Sequence, residues 1–409
     1  MRVLIIGASA AGIAAAAKLR ALRPEAEITV AASDTKVHSR CMLHHFISGR
    51  KTAEEINFAG EDFFDKEGIK FLAGEEILSV NPVENCVTAR KAGRLEYDFL
   101  LITTGARYFI PPVPGFREAK NVFGLRGLED AQKIAEAAKG AKECVVVGSG
   151  LVGLDAAYAL SELGVKCHIV EMENRICPLQ LDETAGAPYR KLFEEAGCDF
   201  YISKKATGSE LNKEGNIRAV LLEGGEKLSC DFAVVTAGVR PNVEFLAESG
   251  VAVDRCIKVD DCMRTNVENI YAAGDAAGLS GIWPNAALQG EIAAANICGR
   301  NQKYTDRYAM KNTMNFFGLT TLSLGPNKVE ATDEVIVREW KTGYMKAIVR
   351  DGRVVHFTLQ GDISNCGIWQ ELVKRGVKLR ETNRPINSLT YADFWHYDEK
   401  NGEYFWPAE

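Results

Sequence analysis

Several things are missing from this chain of 409 residues. No run of 18 or more apolar residues occurs, so the sequence holds no candidate membrane-spanning helix. The opening Met1-Arg2-Val3-Leu4-Ile5-Ile6 is cut short by Gly7; it is too brief for the apolar part of a signal peptide and reads as a first buried strand. A basic excess is absent too. The formal charge of −6 is the wrong sign for a general nucleic-acid binder. Eleven cysteines are scattered without a single C-x-x-C pair, which excludes the usual zinc ribbons, ferredoxin-type clusters and a thioredoxin-like dithiol. Without a secretion signal those thiols are expected to be reduced, in a cytoplasm.

What is present is the composition of a folded protein. Hydrophobic residues make up 46% and charged residues 25%, enough to build cores and to exclude general disorder. At roughly 100–200 residues per domain the length suggests two to four domains. The acidic excess lies upstream, because Ala309 to Glu409 carries balanced charge.

The most informative feature is a repeated layout. Val3-Leu4-Ile5-Ile6 leads into Gly7-Ala8-Ser9-Ala10-Ala11-Gly12 and an expected helix from Ile13 to Leu22. Cys144-Val145-Val146-Val147 leads into Gly148-Ser149-Gly150-Leu151-Val152-Gly153 and an expected helix from Leu154 to Leu163. Each is a buried strand, a glycine turn and a helix, the setting that raises a dinucleotide fingerprint above chance. The glycines let backbone approach a pyrophosphate, which the free amides and dipole of a helix start then hold. Each copy is followed by a second strand and an acid. Glu171 comes 18 residues after Gly153, where a carboxylate hydrogen-bonds a ribose 2′-hydroxyl and repels a 2′-phosphate. This favours NADH over NADPH, a preference that nearby Arg175 moderates. In the first copy Asp34 comes 22 residues after Gly12, and Asp34 or Ser33 stands for the usual glutamate. Two dinucleotides in one chain imply electron traffic between them.

With these motifs the chain resembles the FAD-dependent pyridine nucleotide–disulfide oxidoreductase superfamily, over essentially its whole length. Tyr97 to Ala106, with Thr103-Thr104-Gly105, is similar to the family's first strand-and-turn, and Asp231 to Asn242, with Gly238, to its counterpart closing the NAD fold. Ile270-Tyr271-Ala272-Ala273-Gly274-Asp275 resembles the late FAD motif, which implies that Asp275 contacts ribityl and pyrophosphate oxygens. Trp283-Pro284-Asn285-Ala286-Ala287 opens a helix whose amino end, by resemblance, faces the flavin N1 and O2 edge. The same resemblance adds Arg40, Ile77, Arg107 and Phe317 to the cofactor-lining set. The implied fold class is α/β, with two Rossmann-like domains, the NAD one inserted, and a carboxy-terminal α+β interface domain. The expected division is 1–113 and 242–308 for FAD, 114–241 for NAD(H), and 309–409 for the interface, with strands near Tyr344–Val349 and Val354–Gln360 joined at Asp351-Gly352. Its Thr313–Gly318 and Gly361–Asn365 segments look most like NADH:rubredoxin oxidoreductases and the flavin region of assimilatory nitrite reductases. Such domains often dimerise in relatives, which leaves a homodimer open.

Three of the six histidines fall in His38-Ser39-Arg40-Cys41-Met42-Leu43-His44-His45-Phe46-Ile47-Ser48-Gly49. Two family patterns fit this segment. In CoA-disulfide reductases and NADH oxidases or peroxidases a redox cysteine sits over the flavin, and Cys41, Leu43, Ile47 and Gly49 match; the serine at position 9 sides with this group. In reductases serving small redox proteins a proline stands at that place, and Ser39, Arg40 and Leu43 match. Cys41 is therefore either a thiolate steadied by a helix start and nearby cations, or a small residue filling the proline's space. His45 takes the place of a lysine near flavin N5, and Asp155 that of its glutamate partner. A His45–Asp155 pair would raise the imidazole pKa and hold positive charge there. A metal site built from His38, Cys41, His44 and His45 lacks a completing ligand, and none is expected.

Two weaker features remain. Lys374 to Arg380 is a short basic run, read as a solvated helix end before a docking patch. Tyr391, Phe394, Trp395, Tyr397, Tyr404, Phe405 and Trp406 crowd the end of the chain, as a packed interface does. The expected function is an FAD-dependent NADH oxidoreductase that passes electrons to an acceptor, foremost a small rubredoxin-like protein, without nucleic acid or membrane partners. A Cys41-dependent NADH oxidase, peroxidase or CoA-disulfide reductase is the alternative, and a flavoprotein that senses NADH without turnover the second.

Overall fold

Runs such as Leu4-Ile5-Ile6 and Val145-Val146-Val147 have no polar face, so they are stable only as central strands covered on both sides. The computed structural model, which describes residues 1–306, 311–379 and 386–405, places them so. Arg2–Ile6 is the middle strand of a five-stranded parallel sheet, in the order Ile270–Ala272, Phe99–Ile102, Arg2–Ile6, Glu27–Ala32, Lys70–Ala73. Glu143–Val147 is the middle strand of a second, in the order Asp199–Ile202, Lys166–Glu171, Glu143–Val147, Phe232–Val235, Val122–Phe123. The two sheets are built to one plan.

In both, the helix begins three residues before the sequence suggested, at Ala10–Leu22 and Leu151–Glu162. The last residues of each fingerprint are themselves the first helical turn, because the chain turns on the glycine and on extended caps at Ser9 and Gly150. The helix Trp283–Ile297, with proline in its first turn, packs against Ala10–Leu22 through alanines. Their backbones nearly touch: a Cβ on Gly290 would come within 2.1 Å of the Ala11 carbonyl oxygen.

The chain divides into two compact units, residues 1–172 with 197–305, and 173–196 with 306–409. Both nucleotide folds lie in the first. The second collects a segment, Glu173–Ala196, that the sequence reading assigned to the NAD fold. Its helix Glu183–Glu195 packs on a five-stranded antiparallel sheet ordered Lys311–Phe316, Leu319–Leu324, Arg353–Gln360, Gly343–Arg350, Glu334–Trp340. The reason is polar. Buried Tyr189 donates to the Leu319 carbonyl and Thr321 hydroxyl, each at 2.9 Å, and Gln360 donates to the Ala185 carbonyl at 2.9 Å. Asp182 caps the helix at Ala185 N and accepts from the Tyr344 hydroxyl and Lys346 ammonium.

The turn Asp351-Gly352 joins its two strands as expected, with φ of +51° and +74°. Lys374 and Arg375 end the helix Cys366–Arg375 ahead of a left-handed Gly376, with Arg375 paired to Glu371, so this part of the basic run is a helix end. Arg380 lies outside the described residues. Of the aromatic tail, Phe394 is core, while Tyr391, Trp395 and Tyr397 are exposed; Trp406 and the side chains of Tyr404 and Phe405 lie outside the described set. Among the described residues, no helix is long and apolar enough to cross a membrane.

The close helix crossing predicts that Gly290→Ala destabilises the protein by about 1–3 kcal/mol in denaturant unfolding. Gly281→Ala, where an added Cβ meets nothing within 4 Å, should change it little.

Candidate dinucleotide site

At the carboxyl ends of the first sheet's strands lies a cavity of about 540 Å³. Its floor is the first fingerprint, Gly7 to Ala11, and its sides are Ser33, Asp34, Ile77, Thr103, Thr104, Gly105, Arg107, Gly274, Asp275 and Ala286. Gly7 has φ of +113°, and a Cβ there would sit 2.3 Å from the Thr103 carbonyl oxygen. A Cβ on Gly12 would meet the Gly7 oxygen at 1.9 Å, so Gly12 closes the turn from beneath instead of lining the cavity. Thr103 locks the turn by donating to the Ile6 and Gly7 carbonyls at 2.9 and 3.1 Å.

Two arginines in contact with each other line this cavity. Arg40 lies 3.5 Å from Asp34 and donates to the Arg126 carbonyl at 2.5 Å. Arg126 pairs with Asp275 and donates to the Ala106 carbonyl at 3.1 Å, and Asp130 fixes its backbone from the next helical turn. Burial, then the charge of Arg126, holds the Arg40 guanidinium below its usual pKa. An anion placed between them would relieve that repulsion. The helix Ala10–Leu22 has no side-chain cap and no acid in its first turn, and neither has Trp283–Ile297. Gln289, buried, accepts from Gly274 N at 2.9 Å and leaves its Nε2 without a hydrogen bond. Uncapped helix starts, two neighbouring guanidiniums and the cavity beside them fit the pyrophosphate and rings of FAD.

Not every expected liner is there. Ala286 lines the cavity with Trp283, but Asn285 is turned into the core and donates to the Tyr304 hydroxyl at 2.6 Å, and Ala287 packs against the same core. Phe317 belongs to the second unit, where its ring meets Phe193 edge-on at 5.0 Å. Arg126, Asp130 and Trp283 were missed as site residues. Gly127 to Asp130 reads in sequence only as a helix cap, and nothing local ties it to a fingerprint more than a hundred residues earlier.

Cys41 also lines the cavity, from the short 3₁₀ turn Arg40–Met42. Its surroundings are not those of a thiolate. Cys41 is exposed, but the protein packed on one side of its thiol, and then Asp155, push the thiol up, outweighing the opposing pull of Arg126 and Arg40. The expected His45–Asp155 pair is replaced by His44, whose Nδ1 lies 3.7 Å from Asp155 Oδ1. In the helix Leu43–Ile47 the two rings point differently and meet at 4.0 Å, so only one can face Asp155. Nor is imidazole charge favoured. Burial lowers His44 to about 4, helped by His45 and Arg50, and His45 is lowered as well. Burial raises the Asp155 carboxyl to about 7. The site therefore holds its proton on the carboxyl group and not on a histidine.

The second fingerprint repeats the first. Gly148 has φ of +104°, a Cβ on Gly153 would meet the Gly148 oxygen at 2.0 Å, and Thr236 donates to the Val147 and Gly148 carbonyls. Gly150, Leu151 and Val152 form the uncapped start of the helix, and Gly238, at φ of +100°, follows Thr236 beyond the strand end. Glu171 ends its strand and accepts from Ser149 N and Oγ at 2.8 and 2.7 Å, which aims its carboxylate along the turn. Arg175 is engaged by the carbonyls of Leu181 and Pro178 and the side chain of Asn174, inside its own loop.

Two such folds, each with a glycine turn under an uncapped helix, define a two-dinucleotide oxidoreductase. Residues 1–290 match the model of the family described as pyridine nucleotide-disulphide oxidoreductase, and the chain belongs to it. It is an enzyme that uses FAD and NADH. The chain is 30% identical to the NADH-dependent phenylglyoxylate dehydrogenase subunit epsilon of Aromatoleum evansii, over 92% of both. To the NADH-rubredoxin oxidoreductase of Clostridium acetobutylicum it is 27% identical, over 89% of this chain and 92% of that one. Among solved structures it resembles the reductase of the covalent putidaredoxin reductase-putidaredoxin complex, with a TM-score of 0.83, 25% identity, and coverage of 92% and 94%. It spans about half the length of two other curated relatives, the nitrate and nitrite reductase chains of Bacillus subtilis.

A carboxyl group with a pKa near 7 has visible consequences. From its ordinary 3.8 to about 7, the folded state keeps a proton that the unfolded state has lost, so stability falls as pH rises through that window. Asp155→Asn should flatten that slope in pH-resolved unfolding, and should remove a step near pH 7 from the stopped-flow rate of flavin reduction by NADH.

Proposed function

We propose that this enzyme passes electrons from NADH to a small, rubredoxin-like redox protein. The observation that carries this reading is the similarity along the length of the chain to a reductase of that kind, with an exposed Cys41 whose thiol is pushed up and not toward a thiolate. FAD, when bound, accepts a hydride and releases electrons singly or in pairs. The chain's part is binding, orientation and charge. Gly7 to Ala11 would hold the pyrophosphate, and Arg40 with Asp34 would meet the adenosine end. Arg126, paired with Asp275, would steady that carboxylate for the ribityl oxygens, and the start of Trp283–Ile297 would serve the pyrimidine edge of the flavin. Gly148 to Gly153 hold NADH, and Glu171 reads its ribose. Asp155, raised to about 7 and so close to half protonated at neutral pH, would in its neutral form donate toward the nicotinamide amide without bringing a negative charge beside the reacting ring.

On this reading, FAD is held by 1–113 and 242–308, NADH by 114–241, and 309–409 is an interface domain. The exposed edge strand Glu334–Trp340 supports that last assignment and a homodimer formed through it. All eleven cysteines are free, consistent with work in the cytoplasm. The competing reading, a Cys41-centred oxidase or disulfide reductase, is favoured by that residue's place in the cavity wall.

Cys41→Ser separates the two. NADH-driven reduction of a rubredoxin acceptor should stay within about twofold of the parent, whereas a cysteine mechanism would lose roughly a hundredfold or more. A second check is the cofactor: Glu171→Ala should shrink the NADH-to-NADPH ratio of kcat/KM by about tenfold, the worth of one charge-assisted hydrogen bond.

A further inference from the structure

A second cavity, of about 720 Å³, adjoins the first and shares Arg107, Tyr108 and Glu244 with it. It follows the two-stranded ribbon of Ala106–Tyr108 and Val239–Pro241, where the chain crosses between the two nucleotide folds. Four arginines line it, Arg107, Arg117, Arg240 and Arg255, against a single acid, Glu244. That acid is engaged, holding both Nη atoms of Arg107. Arg117 turns Nε and Nη2 onto the Ile110 carbonyl, at 3.0 and 2.8 Å, and meets no carboxylate. Among the described residues, Arg240 and Arg255 have neither a hydrogen bond from their side chains nor an ion pair. Arg240 lies over the Phe109 ring at 4.6 Å, and Arg117 lies 5.8 Å from the same ring. In a chain of charge −6, three uncompensated guanidiniums facing one cavity are out of keeping with the rest.

Arg255 makes the point independently. It sits at φ of +59°, at the tip of the turn between Val253–Asp254 and Cys256–Ile257. Glycine takes that conformation freely, while arginine pays in backbone strain. From that strained position its side chain reaches the cavity. The cavity includes no residue of Gly148 to Gly153 and not Glu171, so it is distinct from the fingerprint that holds NADH.

We propose that this groove is a second anion site for a small ligand carrying two or more phosphates, held by the forked donors of Arg117, Arg240 and Arg255. One phosphate would leave most of the cavity and at least one guanidinium unmatched; a phosphate chain spans them. Pyrophosphate and ATP are the probes, titrated calorimetrically into the FAD-loaded enzyme, with AMP as the single-phosphate control. Both chains should saturate the site and AMP should not, and added salt should weaken binding. Equal binding of the two assigns recognition to the phosphates alone, and tighter binding of ATP assigns the ligand to the nucleotides; either supports the site. Arg255→Gly should weaken binding by about tenfold or more, leave the KM for NADH unchanged, and keep or raise the melting temperature without ligand, because glycine fits the turn. Arg240→Ala with Arg255→Gly should abolish it. Failure of both probes to saturate at millimolar concentration overturns the proposal. So does undiminished binding to the double variant, or competitive displacement by NADH.

Discussion

Everything in the first unit hangs on two places where backbone is allowed to touch backbone. At Gly7 and Gly12, and again at Gly148 and Gly153, the absent Cβ lets the strand end, the helix start and the neighbouring strand converge on one point. In each case a threonine of the neighbouring strand, Thr103 or Thr236, stitches the turn through its hydroxyl. A larger residue would push the helix off the sheet and carry its amides away from the pyrophosphate. The nearly touching helices at Gly290 and Ala11 extend the same constraint, since they set the helix Trp283–Ile297 along the cavity wall.

Charge is distributed around that frame with the cofactor in mind. Burial and the nearby Arg126 hold the Arg40 guanidinium down, and Asp34 and Asp275 offset only part of that. The opposite tactic operates at His44 and Asp155, where desolvation suppresses charge on both.

The second unit follows a different rule. Its sheet is antiparallel, and its helix Glu183–Glu195 is held by buried hydrogen bonds from Tyr189, Gln360 and Asp182 as well as by apolar packing. Polar groups this well matched specify one docking, because any slip would leave several of them unpaired in the core. This is why a segment that lies between two strands of the second sheet in sequence gathers its contacts with the carboxy-terminal part of the chain.

Local pattern was enough for the repeated strand, turn and helix, because glycine, apolar run and terminal acid act within a few residues of each other. It was enough as well for the hairpin at Asp351-Gly352, where both residues must take positive φ. Pattern could not say which way a side chain turns on a short helix, so His45 was paired where His44 stands, and Asn285 was placed in a cavity it faces away from. Nor could it bring Arg126 to Asp275, Tyr189 to Thr321, or four arginines to one groove. The sequence by itself determined the two nucleotide folds and the family chemistry they carry, since these rest on short-range sterics. Tertiary structure alone decided which groups are charged and which are paired, because desolvation and Coulomb forces depend on neighbours that are distant along the chain.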